Sequence, residues 1–285
     1  MSIKKYVFGK NNARVLFLDQ QLHTAFYAYS LRRLSANYTG MCIRVRRSSD
    51  NEEMDIDFLE NKINTAGLIS FVGSDDGFVS VWYDQSGNGK NKTQVISLHQ
   101  PKIVSSGNII LENELPTLSF DLSSFMNQSD TRAIDDVCAF YVVSVKLGTQ
   151  DYYGVARHIP SNGRGFALYT GYSTGSPNIV PYLNGNAADL AFGTPAEYLP
   201  TILTVRAFSM IGSANFTDSI YMRNNHMDGL GRGEGNWGYY DTSGINLGYL
   251  GARAIMNLSE YIVFANANRQ NLAKLSKKLT AYYNT

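Results

Sequence analysis

Cysteine is nearly missing from this chain: Cys42 and Cys138 are the only two in 285 residues. Each sits in an apolar strand-like run, Met41-Cys42-Ile43 and Val137-Cys138-Ala139, where cysteine acts as a small buried hydrophobe. A disulfide framework and a cysteine-based zinc site are therefore not expected. An excess of charge of one sign is also missing. Lys and Arg number 25 against 24 Asp and Glu, a formal net charge of +1, so no global field draws the chain toward nucleic acid or an anionic membrane. No apolar run approaches the ~18 residues of a membrane-spanning helix. The opening Met1-Ser2-Ile3-Lys4-Lys5-Tyr6 lacks the roughly 7 to 15 apolar residues of a secretory signal. The expectation is a protein made in the cytoplasm, with no membrane insertion and no nucleic-acid partner, that leaves only by lysis or by assembly into a particle. Repeats, low-complexity tracts and linkers are absent too, so residues 1–285 read as one domain.

What is abundant is aromatic and β-forming. Tyr 19 and Phe 14, within 44% hydrophobic residues, suit strands and a sizeable core. Met41-Cys42-Ile43-Arg44-Val45-Arg46 alternates apolar and polar, the pattern of a half-exposed strand. Leu68–Val72 and Phe78–Tyr83 read as two strands around the turn Gly73-Ser74-Asp75-Asp76-Gly77. Val137–Lys146 is apolar on both alternating faces until its last residues, which predicts a central strand in a covered sheet. Further strands are expected from Leu118, Phe166, Thr201, Ser219 and Ile245, and the last over Ser259–Phe264. Two helices are expected. Leu22, Ala25, Phe26, Tyr29 and Leu34 approach helical spacing over 21–35, after a strand-like Arg14–Leu18, so residues 1–60 form an N-terminal helix and strand segment packed on the rest. Leu272, Leu275, Leu279 and Tyr282 form an apolar stripe near the C-terminus, with Asn268 as cap and Lys274, Lys277 and Lys278 toward the negative end of the helix dipole.

Three stretches carry a family resemblance: Ala28-Tyr29-Ser30-Leu31-Arg32-Arg33-Leu34 through Tyr38-Thr39-Gly40 to Ile43–Asp50; Asp55-Ile56-Asp57-Phe58; and Trp82-Tyr83-Asp84-Gln85-Ser86-Gly87-Asn88-Gly89. Together they resemble the catalytic domain of α-L-arabinofuranosidase B and the phage virion proteins that carry the same module. The strand-then-helix ending, with its Ser-Glu-hydrophobic strand and terminal Tyr-Tyr, resembles it too. The resemblance implies an all-β fold: a concanavalin A-like antiparallel jelly-roll β-sandwich with an N-terminal helical segment and a short C-terminal helix. In that family a carboxylate follows a Gly-Gly step before the final strand, and an adjacent cysteine pair lines the sugar pocket. Here Gly248-Tyr249-Leu250-Gly251-Ala252-Arg253-Ala254-Ile255 holds no acid and no two cysteines adjoin, so the resemblance implies no catalytic residue at those positions.

The candidate sites follow from residue chemistry. Asp84, just before a Ser-Gly-Asn-Gly turn, is expected to accept backbone N–H bonds and hold that turn. A calcium ion shared by Asp55, Asp57 and Asp84 is the minority alternative, without EF-hand spacing; no other metal or cofactor is expected. Arginines 32, 33, 44, 46 and 47 read as a solvated face paired with the acids at 50 to 57. The loop Arg232–Asp241 places Trp237, Tyr239 and Tyr240 beside Glu234, Asn236 and Asp241. Either the aromatics meet sugar rings and the polar groups their hydroxyls, or Trp237 packs into the rim and the tyrosines lie at an oligomer interface. Tyr152, Tyr153, Arg157, His158, Arg164, Tyr169 and Tyr172 carry the same ambiguity. The functional expectation is a non-enzymatic phage virion component, a tail or head fibre, adhesin or decoration subunit. Its expected partners are other virion proteins, copies of itself in a homo-oligomer, and host cell-surface glycans. The alternatives are a glycosidase acting on arabinose-containing surface polysaccharide, and a purely structural capsid or tail protein.

Overall fold

A computed structural model describes residues 16–20, 25–128, 136–146, 153–158, 166–172, 176–183, 186–187, 206–213, 218–223, 226–232, 249–252, 255–264, 275, 278–279 and 281–283. The first part of the chain contributes β1 (Tyr27–Ser30), β2 (Ile43–Arg47), β3 (Glu53–Ile56), β4 (Phe58–Leu59), β5 (Lys62–Ile63), α1 (Thr65–Val72), β6 (Gly77–Trp82), β7 (Lys92–Thr93), β8 (Lys102–Ser105), β9 (Asn108–Ile109), β10 (Leu111–Glu112), β11 (Leu115–Pro116) and β12 (Leu118–Phe120). The remainder contributes β13 (Asp136–Lys146), β14 (Tyr153–His158), β15 (Phe166–Tyr172), β16 (Ser176–Leu183), β17 (Asn186–Ala187), β18 (Arg206–Ser213), β19 (Asp218–Arg223), β20 (His226–Arg232), β21 (Tyr249–Ala252) and β22 (Ile255–Phe264). One sheet runs β20-β19-β18-β13-β22-β12-β8-β6-β2-β3, with β1, β7 and β9 added at its side. A second runs β17-β16-β15-β14-β21. Every strand pair among the described residues is antiparallel. The all-β class expected from the sequence is the class found.

The centre of the large sheet is β13 beside β22, and both are covered on two faces. Ala139, Tyr141, Val143, Leu258, Tyr261 and Val263 join one apolar cluster with Trp82 and Val45. Phe140, Val142, Ile262 and Phe264 join another with Leu275, Leu279 and Tyr283. Alternate residues of a strand point to opposite faces, so a strand packed on both sides is apolar on both alternating faces wherever its side chains have no polar partner. Val137–Val143 carries that pattern, and Ser144, buried after it, is bonded to Glu112. Near the C-terminus, Leu275 and Leu279 occupy the second cluster as helical residues one turn apart. Tyr283 is buried there and Tyr282 is half-exposed, so the stripe turns slightly from the expected line.

Three local expectations are corrected. The N-terminal helix expected over 21–35 is a strand where the chain is described: β1 is fully buried and pairs antiparallel with β22 from Tyr27↔Val263 to Ser30↔Glu260. Tyr27 and Tyr29 enter one cluster and Ala28 the other. Burial on both faces erases the period of two, and the spacing of Ala25, Phe26 and Tyr29 imitates a helix. The strand expected over Arg14–Leu18 is not formed by its described residues, since Leu18–Gln20 is a 3-10 turn. The strand expected over Leu68–Val72 belongs to helix α1. Asn64 caps it by accepting from the Gly67 amide at 2.9 Å, Gly73 ends it with φ 64 and donates to the Ile69 carbonyl, and Leu68 and Val72 fall four apart on the buried side. Gly77 lets this helix lie against the sheet, because a Cβ there would stand 3.1 Å from Val72 and 3.2 Å from Val104. The strand expected from Ile245 lies outside the described residues.

Candidate functional site

The Trp82–Gly89 segment leaves β6 and wraps over the end of β1. Asp84 is buried and accepts four hydrogen bonds: from the Ala28 amide at 3.0 Å, the Ser86 amide at 3.0 Å, the Ser86 hydroxyl at 2.7 Å and the Lys90 amide at 3.1 Å. Gln85 is buried beside it. Its side-chain amide donates to the Ser30 and Arg32 carbonyls, and its oxygen accepts from the Leu34 amide at 2.8 Å. Asn88 donates to the Ala25 and Phe26 carbonyls. The motif is thus a polar clasp that meets the backbone needs of β1 where no sheet partner does. Positive φ at Gly87 (88°) and Gly89 (67°) closes the turn.

Asp55 faces a different set of partners. Arg44 clamps it with two bonds of 2.8 and 2.9 Å, and the Tyr83 hydroxyl donates to it at 2.6 Å. The Arg44 bonds hold the Asp55 carboxyl below its usual range. Burial and the bond to Asp55 push the Tyr83 phenol up to about 12. Asp57 accepts from Asn64 at 2.9 Å. Each of the three acids proposed for calcium therefore has its own protein donors, and no group of three or more ligating side chains forms among the described residues. The clasp expected of Asp84 is present, and the shared ion site is not assembled. Among the arginines, Arg44 and Arg47 pair with Asp55 and Asp50 as expected of a solvated face. Arg46 is buried, bonded to Gln100 and Asn51 and stacked over Phe78.

Arg32 departs furthest from expectation. Its side chain is 13% exposed and forms a double bond pair with Glu260, Nε to Oε2 at 2.8 Å and Nη2 to Oε1 at 2.9 Å. Glu260, 1% exposed, also accepts from the Ser30 hydroxyl at 2.7 Å and the Tyr283 hydroxyl at 2.8 Å. The guanidinium lies 3.9 Å from the Tyr282 ring centre, a cation–π contact. Burial works against the Arg32 charge, but Glu260 outweighs it and raises its proton affinity. A carboxylate with four donors holds β1, β22 and the C-terminal helix together and has no free face for a substrate. Sequence reading missed it. The available signal was an acid inside the uniformly buried run of β22.

Of the predicted sugar-contact loop, Glu234, Asn236, Trp237, Tyr239, Tyr240 and Asp241 lie outside the described residues. The second aromatic group is placed only in part. Tyr153, Arg157 and His158 belong to β14 and Tyr169 and Tyr172 to β15, neighbours in the five-stranded sheet. Tyr152 and Arg164 lie outside the described residues.

Residues 23–108 match the family model described as alpha-L-arabinofuranosidase B, catalytic. Among solved structures, the chain resembles a GH54 α-L-arabinofuranosidase soaked with a cyclic sulfate inhibitor, with TM-score 0.60, 16% identity, and coverage of 89% of this chain and 62% of the enzyme. It resembles equally an arabinofuranosidase complexed with arabinofuranosyl-α-1,2-xylobiose, at TM-score 0.60, 17% identity, 89% of this chain and 62% of that one. At such identity the likeness shows a shared fold, and the chain spans 62% of the length of these enzymes. Comparison with curated protein sequences gives no match. The matched model describes the catalytic domain of an enzyme, and this corrects the expectation of a non-enzymatic virion component. That expectation weighed two local departures, the missing acid before β22 and the missing cysteine pair, above the motif segments between Ala28 and Gly89 that carry the match.

Proposed function

We propose that the chain is a glycoside hydrolase of arabinofuranosidase type, built on a lectin/glucanase-like sandwich and acting on arabinose-bearing polysaccharide. The observation that carries this reading is the family match over residues 23–108, the segment that contains the Asp84 clasp. Hydrolysis of a glycosidic bond uses two carboxyl groups across a cleft, about 5–5.5 Å apart for retention or ~6.5–9.5 Å for inversion. Asp84 and Glu260 are buried and saturated with donors, and Asp55 is held by Arg44 and Tyr83. The reacting pair is therefore assigned to other acids. Glu234 and Asp241 are the first to test, because their loop brings Trp237, Tyr239, Tyr240 and Asn236 for the apolar faces and hydroxyls of a sugar.

Purified protein is incubated with 4-nitrophenyl α-L-arabinofuranoside and with arabinan, beside Glu234→Gln and Asp241→Asn. Turnover by the unaltered protein that falls at least about 100-fold in one variant supports the proposal, since an acid–base group contributes about 10²–10⁴. No turnover of any arabinoside by folded protein overturns it.

A further inference from the structure

Asn88 holds two positions that pull against each other, one structural and one chemical. The residue is exposed, yet its side-chain nitrogen fastens the entry of β1, donating to the Ala25 carbonyl at 3.0 Å and to the Phe26 carbonyl at 3.2 Å. The residue that follows it is Gly89, whose nitrogen has no side chain to shield it. A Cβ built on Gly89 would meet nothing within 4 Å, and its φ of 67° is one that glycine adopts without strain. The neighbouring amides are held, Asn88 by the Ser86 hydroxyl and Lys90 by Asp84, whereas the Gly89 amide makes no hydrogen bond among the described residues. The other Asn-Gly steps, at 162–163 and 184–185, lie outside the described residues.

An asparagine followed by so accessible a nitrogen has a reaction open to it whose one co-reactant is water. The Gly89 nitrogen gives up its proton and attacks Asn88 Cγ. A C–N bond forms, the bond from Cγ to Nδ2 breaks, and Nδ2 takes a proton and leaves as ammonia. Water then opens the cyclic imide at either carbonyl, which yields aspartate or isoaspartate. Nothing is oxidised or reduced. The clasp governs the first step: with Nδ2 held on two carbonyls across the turn, the carboxamide is directed onto β1 and away from Gly89, so attack requires the side chain to let go. Such an opening is local, and its population sets the rate. The product governs the return. A carboxylate has no hydrogen to donate, so the Ala25 and Phe26 carbonyls would meet a negative oxygen in place of an N–H. Isoaspartate also lengthens the backbone by a methylene between Ser86 and Lys90, whose bonds to Asp84 fix the turn.

We propose that Asn88 is a deamidation site that works as a one-way latch: it reacts while the turn is open, and once converted it no longer fastens β1. The latch bears on the lifetime of the folded chain and is independent of the hydrolase reading.

The test follows Asn88 by peptide mapping, which separates it from the asparagines at 162 and 184, in the full chain kept in mildly alkaline buffer, either folded or in urea. Conversion to aspartate and isoaspartate should be at least about tenfold slower in the folded protein than in urea, as an opening populated no more than about a tenth of the time dictates. It should be faster in folded Ser86→Ala than in the original, because that variant loses both hydroxyl bonds that close the turn. Asn88→Asp supplies the product directly: it should melt below the original protein and no higher than Asn88→Ala, and proteases should cut it more readily ahead of β1. Equal rates in folded protein and in urea overturn the gating. An Asn88 that stays an amide in folded Ser86→Ala while the urea sample converts fully overturns the site. Asn88→Asp as stable as the original, or more stable than Asn88→Ala, overturns the latch, and this comparison decides it even if Ser86→Ala does not fold.

Discussion

Replacing Glu260 by glutamine keeps the shape of the side chain and removes its charge, which isolates the value of the buried pair with Arg32. The carboxylate is 1% exposed and the guanidinium 13%, so solvent does little to screen either. Breaking such a pair from one side leaves the partner charged and buried, at a cost of about 3–5 kcal/mol. Two of the four bonds to Glu260 come from neutral hydroxyls of Ser30 and Tyr283, and a glutamine oxygen can accept one of them, so Glu260→Gln is expected at about 3–4 kcal/mol. At about 2–4 °C per kcal/mol for a chain of this order, the melting temperature should fall by roughly 6–16 °C. Arg32→Met with Glu260→Leu removes both charges, and it should recover about 2 kcal/mol or more relative to the sum of the single changes. It should not recover fully, because the Tyr283 and Ser30 hydroxyls lose their acceptor at about 1–3 kcal/mol each. Urea unfolding of the original protein, Arg32→Met, Glu260→Leu and the double variant gives the coupling energy directly, with Glu260→Gln measured beside them. A Glu260→Gln protein within 1 kcal/mol of the original, or strictly additive single changes, would refute the reasoning.

Asp84→Ala strands the Ala28, Ser86 and Lys90 amides and should cost about 2–4 kcal/mol, with proteolytic cleavage appearing near residues 84–91; stability within 0.5 kcal/mol of the original would contradict the clasp. Alkali should destabilise the protein in a defined window. Burial raises the phenols of Tyr38, Tyr141, Tyr261 and Tyr283, and burial with Asp55 raises that of Tyr83 to about 12. Folded values above the ordinary ~10 mean that the neutral phenols contribute stability that is complete below about pH 10 and is lost as pH climbs through each folded value. Melting temperature should hold to about pH 10 and fall beyond it, while tyrosinate absorbance shows only part of the 19 tyrosines ionising before unfolding. Titration of all of them near pH 10 in an intact fold would remove this account.

What the sequence discloses depends on how far apart the cooperating residues lie. The strand β13 is legible because burial on both faces writes itself as an unbroken apolar run. The Asp84 turn is legible because an aspartate followed at once by Ser-Gly-Asn-Gly is a local device. By contrast β1 hides, since a buried tyrosine–alanine strand has no period to detect. Helix α1 hides because its evidence is the pair of ends, Asn64 and Gly73, and not its apolar interior. The Arg32–Glu260 pair joins residues 228 apart, and nothing local relates them. On functional class, two local departures suggested that catalysis was lost, whereas the motif segments pointed to the enzyme model. The signal spread over many residues agrees with the comparison and the two-point signal does not.

The placing of β22 has a consequence for how this protein comes into being. Its ten residues border β13 along one edge and β12 and then β1 along the other, so the strand that follows every other described strand of its sheet in the chain is the keystone of that sheet and not a trim on its rim. Until it arrives, the edges of β1, β12 and β13 stand open, and open edges recruit other chains. Closure of this sheet should therefore be slow, as pairings between distant segments are. A chain halted before Ile255 should aggregate instead of yielding a slightly smaller version of the same fold.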